Sequence, residues 1–245
     1  MKTRFFFITT LTILSIVFLW FVYADNAFYS SGIRAAIMVM FLVFYFGQVK
    51  VKNKYFFLFL ILFATAQALD FLGYFIRPGL SFGVDYFYYI GNSLNILAYT
   101  SLIIKVLKSM NIKDVLIKLP AHFVILVVLD IFCVTIVTET ARTELSIYQY
   151  SLEFLYNAVI MSLLTLAVIN YIYKVDKKAM NLLIASIFIV FSEMIQLAYF
   201  YVSENNRLLN IFCSLFLILA FLFLFLQAGI LESDESNTFK EHIEA

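Results

Sequence analysis

The chain of 245 residues is 64% hydrophobic and 13% charged, whereas an ordinary soluble domain is roughly half apolar and one quarter charged. One water-surrounded core cannot hide so much apolar surface, so the composition predicts an integral membrane protein. The net charge of +1, with basic residues in short runs, argues against a nucleic-acid partner. Cys133, Cys213, His122 and His242 are scattered, so we expect no disulfide framework, no metal site and no cofactor.

Apolar segments of the length that a membrane crossing needs, about 20 residues, follow one another along the chain. In order they are residues 5–23, 33–46, 55–76, 86–107, 122–137, 150–173, 179–202 and 208–230. The sequence therefore predicts an all-α polytopic membrane protein with about eight transmembrane helices. Residues 1–231 would form this domain, and the acidic residues 232–245 would form a disordered cytoplasmic tail.

The first segment has a second interpretation. Lys2 and Arg4 precede it and Ala24 follows it, a pattern that also fits a signal peptide cleaved near Ala24. Its apolar stretch runs for about 19 residues, longer than the usual 7 to 15 of a signal sequence, which favours a retained helix. Cleavage would leave every later helix unchanged.

The basic residues predict an orientation, because lysine and arginine are retained on the cytoplasmic side of a membrane. With eight helices, every lysine and Arg4 fall on one side. Only Arg34, Arg77, Arg142 and Arg207 fall on the other. We therefore expect both termini to be cytoplasmic, with the chain in a bacterial cytoplasmic membrane.

A faint internal repeat relates the second and sixth predicted helices. Residues 35–38 read AAIM and residues 158–161 read AVIM, and a lysine-bearing loop follows each. Asp70 and Glu193 each lie 32 residues after the methionine of their copy. Four helices separate the copies, so the pattern predicts two parallel four-helix repeats. Chance identity in so apolar a chain is the alternative.

Two carboxylic acids interrupt the apolar helices in a way that indicates a functional site. A carboxylate inside a bilayer costs about 2.5 to 3.5 kcal/mol on insertion scales. Asp70 lies in the third predicted helix and Glu193 in the seventh, both somewhat outward of the middle. We therefore expect these two helices to pack together with the carboxyls facing each other. Asp130 is near the middle of the fifth helix, and Glu153 is near the outer end of the sixth.

Amide side chains accompany these acids. Asn92 and Asn95 lie one turn apart on the fourth helix, and Tyr99 lies a further turn along the same stripe. Gln196 is one turn from Glu193. These residues are candidates for binding a substrate. The alternative is structural, because polar side chains also join membrane helices through hydrogen bonds worth about 0.6 kcal/mol each.

Two short patches resemble the acid motifs of a known family. Residues 69–72, LDFL, and residues 191–194, FSEM, resemble the GD-x-x-L and FxxSD motifs of the YhhN family. Those membrane proteins have about eight helices and include animal lysoplasmalogenases. The chain departs from the pattern at Leu69, which replaces a glycine, and at Glu193, which replaces an aspartate. Tyr99 falls near the position of the histidine that the family carries.

The resemblance implies a hydrolase that cleaves the vinyl-ether bond of a lysophospholipid, with membrane lipids as its partners. Such cleavage needs a proton donor and an activated water, which two carboxyls can supply. Glu193 would be the general acid and Asp70 the base, or the reverse, with Asn92, Asn95 and Gln196 orienting water or headgroup. The alternative is a non-enzymatic protein that binds a lipid or apolar ligand, or a small transporter or sensor subunit.

Overall fold

The computed structural model describes residues 2–49, 52–76, 85–202 and 206–243, and the side chains of residues 2–6, 48 and 229–243 are outside this description. Lys50 and Arg77, two of the residues used to predict the orientation, are also outside it. Every regular element in the described ranges is an α-helix, so the predicted all-α class is confirmed.

The described helices are longer than the predicted apolar segments at most of their ends. They are α1 Lys2–Tyr23, α2 Ala27–Gln48, α3 Lys54–Ile76, α4 Tyr86–Lys108, α5 Ile112–Lys118, α6 Pro120–Thr140, α7 Ile147–Lys174, α8 Lys177–Tyr201 and α9 Arg207–Ile243. The short α5 is an addition, so the fifth to eighth predicted helices are α6 to α9. The backbone of α9 continues to Ile243, but the side chains of 229–243 are not described, and the disordered tail over 232–245 stays a prediction.

Membrane-spanning length is found in seven of the described helices, namely α2, α3, α4, α6, α7, α8 and the Arg207–Ala228 part of α9. The described apolar part of α1, Phe7–Tyr23, is shorter. The protein is therefore an integral membrane protein, and the number of eight crossings stays a prediction.

Side-chain caps fix where several helices begin. Asn26, Asp85, Ser146 and Asp176 precede α2, α4, α7 and α8, and each accepts a hydrogen bond from a backbone N–H of the first turn. Gln149 completes a capping box with Ser146. Such caps satisfy N–H groups that have no partner within the helix. These four caps therefore stabilise the first turns of α2, α4, α7 and α8.

The helices are arranged as a closed ring in the order α1, α2, α3, α4, α7, α8 and α9, with α9 packing back on α1. Outside the ring, α6 packs on α7, and α5 packs on α6. Within the described ranges α3 packs on α2 and α4, whereas α8 packs on α7 and α9. The third and seventh predicted helices are α3 and α8. The prediction that they pack directly on each other is therefore wrong, because other helices separate them along the ring. The parallel repeat stays a prediction.

The two ends of the ring differ in charge. One end carries Lys52, Lys108, Lys113, Lys118 and Lys174 in the connections and helix ends. We call it the lysine-rich end. The lysine-poor end holds the α1–α2 turn and the first turns of α4, α7 and α9.

Aromatic side chains fill the interior of the ring between these two ends. Phe59, Phe63, Tyr99 and Phe221 are buried, and their ring centroids lie 4.9 to 6.2 Å apart. Aromatic pairs of this kind are worth about 0.5 to 1.5 kcal/mol beyond their burial. The cluster therefore separates the interior of the lysine-poor end from that of the lysine-rich end.

Close approach of α2 and α3 depends on a glycine. A Cβ added at Gly32 would lie 2.9 Å from Cε2 of Phe71, inside the usual contact distance. The absence of a side chain lets the α2 backbone lie against this ring. Ser31 and Arg34, on the same stretch of α2, then reach an acid on α3.

Candidate functional site

A polar cavity of about 520 Å³ lies inside the ring at the lysine-poor end. All seven helices of the ring contribute to its wall, through residues from Phe18 on α1 to Leu217 on α9. Ligand cavities in proteins typically measure about 300 to 1,000 Å³. The ring thus encloses a space large enough for a small polar ligand or a lipid headgroup.

The structure brings most of the predicted site residues to this one cavity. Asp70, Asn92, Asn95, Glu193 and Gln196 all line it. They come from α3, α4 and α8, which the ring places around a common interior.

Asp70 is held by two donors from α2. Nη2 of Arg34 lies 2.6 Å from Oδ2 of Asp70, and the Oγ of Ser31 donates to the same oxygen at 3.3 Å. The side chains of Arg34 and Asp70 are 25% and 40% exposed. Ser31 and Arg34 are three residues apart and therefore share a face of α2. The result is a charge-assisted hydrogen bond that anchors Asp70 to the wall.

Arg34 is the residue that the sequence reasoning missed, because it was counted only as a charge that sets orientation. Its signal is present in the segment GIRAAIM, where an arginine stands inside an apolar helix. A charge in such a place needs a partner of opposite sign. Asp70, on the next helix along the chain, is that partner.

The environment of Glu193 differs from that of Asp70. The phenol of Tyr99 donates to its Oε1 at 2.8 Å. Tyr99 is 1% exposed, and its ring meets that of Tyr156 edge-on at 6.1 Å. Tyr99, predicted to bind a substrate, therefore contacts Glu193 from the aromatic cluster.

The other two acids lie in different places. Glu153 lines the same cavity and accepts a hydrogen bond from the phenol of Tyr88 at 3.1 Å. Asp130 is on α6, outside the ring, and accepts from Oγ1 of Thr165 at 2.9 Å. Asp85, the residue that caps α4, also lines the cavity. The cavity therefore gathers four acids, and Asp130 is a separate intramembrane carboxyl.

Three buried polar atoms around the cavity have no hydrogen-bond partner among the described residues, namely Nε of Arg34, Oε1 of Gln67 and Oδ1 of Asn95. A buried polar atom without a partner costs about 1 to 3 kcal/mol. A polar ligand that met these atoms would therefore gain their hydrogen bonds.

The chemistry open to the cavity follows from these side chains. It holds an ion-paired carboxylate, a second carboxyl bonded to a phenol, and amide groups that can donate and accept. Within the described ranges no group of three histidine, cysteine or acidic residues is placed to hold a metal ion. Proton transfer and binding of a polar headgroup are both possible with this set.

No protein-family model, no curated protein and no solved structure matches this chain. The resemblance to the YhhN family therefore depends on the two acid motifs, and the function of the cavity has to be inferred from its own side chains.

Proposed function

We propose that the protein is a membrane hydrolase of the lysoplasmalogenase type, which cleaves the vinyl-ether bond of a lysophospholipid in the cavity. The supporting observation is that two carboxyls with different partners share one polar cavity within a membrane bundle. Asp70 is paired with Arg34, and Glu193 is bonded to Tyr99. Two acids in unlike environments are the usual arrangement for a donor and an acceptor of protons.

The reaction adds water across the vinyl-ether double bond. Glu193 gives a proton to the outer vinyl carbon, while Asp70 takes a proton from the water that attacks the carbon bearing the ether oxygen. The hemiacetal so formed then loses its hydroxyl proton to Glu193. Its bond to the glycerol oxygen breaks, and that oxygen takes the proton held by Asp70. The products are an aldehyde and a glycerophospho alcohol, and both acids return to their starting state.

Other residues of the wall suit the binding of the lipid. A guanidinium such as that of Arg34 pairs well with a phosphate, because its donors form a planar fork. Asn92, Asn95 and Gln196 can hydrogen-bond the headgroup or the attacking water. Tyr99 would act as a positioning residue, since it orients the carboxyl of Glu193.

The test is aldehyde release from purified protein supplied with a lysoplasmalogen. Asp70→Asn and Glu193→Gln should each lower the rate by roughly 10² to 10⁴-fold, because an amide can replace neither proton donor nor base. Asp130→Asn is the matched control, since it removes an intramembrane acid outside the cavity. This control should keep the activity, and all three variants should stay monodisperse in detergent.

Three outcomes would contradict the proposal. If the wild-type protein releases no aldehyde from lysoplasmalogen and no product from related lysolipids, it is not this enzyme. If Asp70→Asn and Glu193→Gln unfold the protein, the two acids are structural. Loss of activity in Asp130→Asn to the same degree would also remove the reason to place the reaction in the cavity.

A binding protein without catalysis is the second candidate, favoured by the unpartnered atoms of Arg34, Gln67 and Asn95. A lysophospholipid with an uncleavable alkyl ether should then raise the unfolding temperature of the wild-type protein. At 100 times its dissociation constant a ligand stabilises by about 2.7 kcal/mol. Stabilisation by this lipid, with no turnover of the vinyl-ether analogue, would favour the second candidate.

For the orientation, we propose that the lysine-rich end faces the cytoplasm of a bacterial cell and the cavity faces outward. The grouping of the described lysines at one end of the ring supports it. In a background without Cys133 and Cys213, single cysteines at Lys113 and Glu144 can be exposed to an impermeant thiol reagent in intact cells. We expect labelling at 144 and protection at 113, and the reverse pattern would overturn this orientation.

A further inference from the structure

A second pocket, of about 390 Å³, lies at the lysine-rich end, between the ends of α3, α4, α7 and α8 and beside Gln227 of α9. We call it the basic pocket. Its wall also contains the polar side chains of Asn53, Ser109 and Asn170. Six lysines line it, namely Lys52, Lys54, Lys105, Lys108, Lys174 and Lys178.

Lys105 is the most deeply placed of these lysines, with an exposure of 7%. Its Nζ donates to Oε1 of Gln227 at 2.9 Å and lies 4.6 Å from the centroid of the Phe56 ring. Buried charges are ordinarily paired with an opposite charge, because desolvation disfavours them. The contacts of Lys105 are an amide and an aromatic face, neither of which carries a full negative charge.

Among the described residues, negative charge is scarce in the wall of the basic pocket. Asp176 is the acid in its described wall, and its Oδ1 already accepts from the backbone N–H of Ala179, where it caps α8. Within the described part of the chain, Lys105, Lys108 and Lys174 form no ion pair with an acidic side chain. The convergence of like charges is unfavourable until an anion joins them.

We propose that the basic pocket binds the phosphate group of an anionic ligand. Lysine ammonium groups form charge-assisted hydrogen bonds with phosphate oxygens, and Asn53 and Asn170 add neutral donors. The pocket lies where the helices end, at the level of lipid headgroups, and basic pockets between membrane helices commonly take such groups. The phosphate can come from a lipid headgroup or from a soluble phosphate.

This site is independent of the proposed hydrolase activity. The cavity and the basic pocket have no lining residue in common, and the aromatic cluster lies between them. Phosphate binding at the lysine-rich end is therefore measured without any reference to turnover, and either proposal can fail alone.

The experiment measures binding by calorimetry to the full chain in an uncharged detergent, at constant ionic strength. One arm uses dioctanoyl phosphatidic acid, a second uses sodium phosphate, and dioctanoyl phosphatidylcholine is the zwitterionic reference. Lys105→Met and Lys174→Gln should each weaken binding by tenfold or more, as expected for a lost charge-assisted hydrogen bond. Lys113→Met is the matched control, since it removes the same charge from the same end outside the pocket.

Tighter binding of phosphatidic acid than of sodium phosphate, by tenfold or more, would support the site and identify a lipid headgroup as the source. Equal binding of the two would support the site with free phosphate as the source. The proposal is overturned if neither ligand binds, or if Lys113→Met weakens binding as much as the pocket variants. If Lys105→Met does not fold, the proposal is tested by Lys174→Gln alone, and unchanged binding by that variant overturns it.

Discussion

The ion pair between Arg34 and Asp70 allows a quantitative test of how the cavity wall is held together. Breaking a fully buried pair costs about 3 to 5 kcal/mol, whereas a fully exposed pair is worth about 0.2 to 1 kcal/mol. Here the N–O distance is 2.6 Å and the side chains are 25% and 40% exposed. Because solvent in the cavity screens these partly exposed charges, the pair is worth less than a fully buried one. We therefore expect a coupling energy of about 1 to 2 kcal/mol.

The coupling is measured by a double-mutant cycle with Arg34→Met, Asp70→Asn and the double variant, unfolded in mixed micelles. The losses of stability in the two single variants should add up to more than the loss in the double variant, because each single variant leaves one charge unpaired. The pair of Glu139 and Arg142 is the control, with an N–O distance of 2.8 Å and exposures of 50% and 68%. A coupling for Arg34 and Asp70 no larger than that of the control pair would refute the reasoning.

Two further predictions concern backbone positions, and heat unfolding of the four variants checks both. Gly47→Ala should stabilise α2 by up to about 1 kcal/mol, because no described atom beyond the adjacent residues and the backbone of α2 lies within 4 Å of the new Cβ. Gly32→Ala should gain less or destabilise, since its Cβ would lie 2.9 Å from a phenylalanine ring. Val175→Gly should stabilise by roughly 1 kcal/mol, because Val175 is left-handed with φ of 50°. Val202→Gly should not, because its φ of −117° is ordinary. Equal effects within either pair would contradict the reason given for it.

The helices could be predicted from the sequence because a membrane crossing leaves a long apolar segment in the chain. The short helix α5, Ile112–Lys118, was missed. Its lysines and its length of 7 residues resemble those of a connecting loop, and helices so short leave little periodic signal.

The neighbours of each helix could not be predicted in the same way. Counting residues placed Asp70 and Glu193 at similar depths, and the structure brings both to one cavity. Depth does not determine which helices touch, however, because the order around the ring depends on side-chain packing between segments far apart in sequence. The prediction that α3 packs directly on α8 was wrong for this reason.

Polar residues of the cavity could be identified individually, because each is unfavourable in an apolar helix. Their partners could not. The contact of Tyr99 with Glu193 joins residues 94 positions apart, a separation at which one sequence carries no pairing information. Arg34 and Asp70 are 36 positions apart on successive helices. That pairing could have been predicted from charge alone if Arg34 had been treated as an intramembrane residue.

The pairing of the three cavity acids that lie within helices has a consequence for biosynthesis, since membrane helices are made and inserted in chain order. Each acid accepts its hydrogen bond from a residue that precedes it in the sequence. The pairs are Asp70 with Arg34, Glu153 with Tyr88, and Glu193 with Tyr99. None of these three carboxyls therefore enters the bilayer before its donor has been made, although a lone carboxylate there would cost about 2.5 to 3.5 kcal/mol. The seam between α1 and α9, by contrast, joins the first described helix to the last. The ring around these paired acids therefore closes only when synthesis has reached α9.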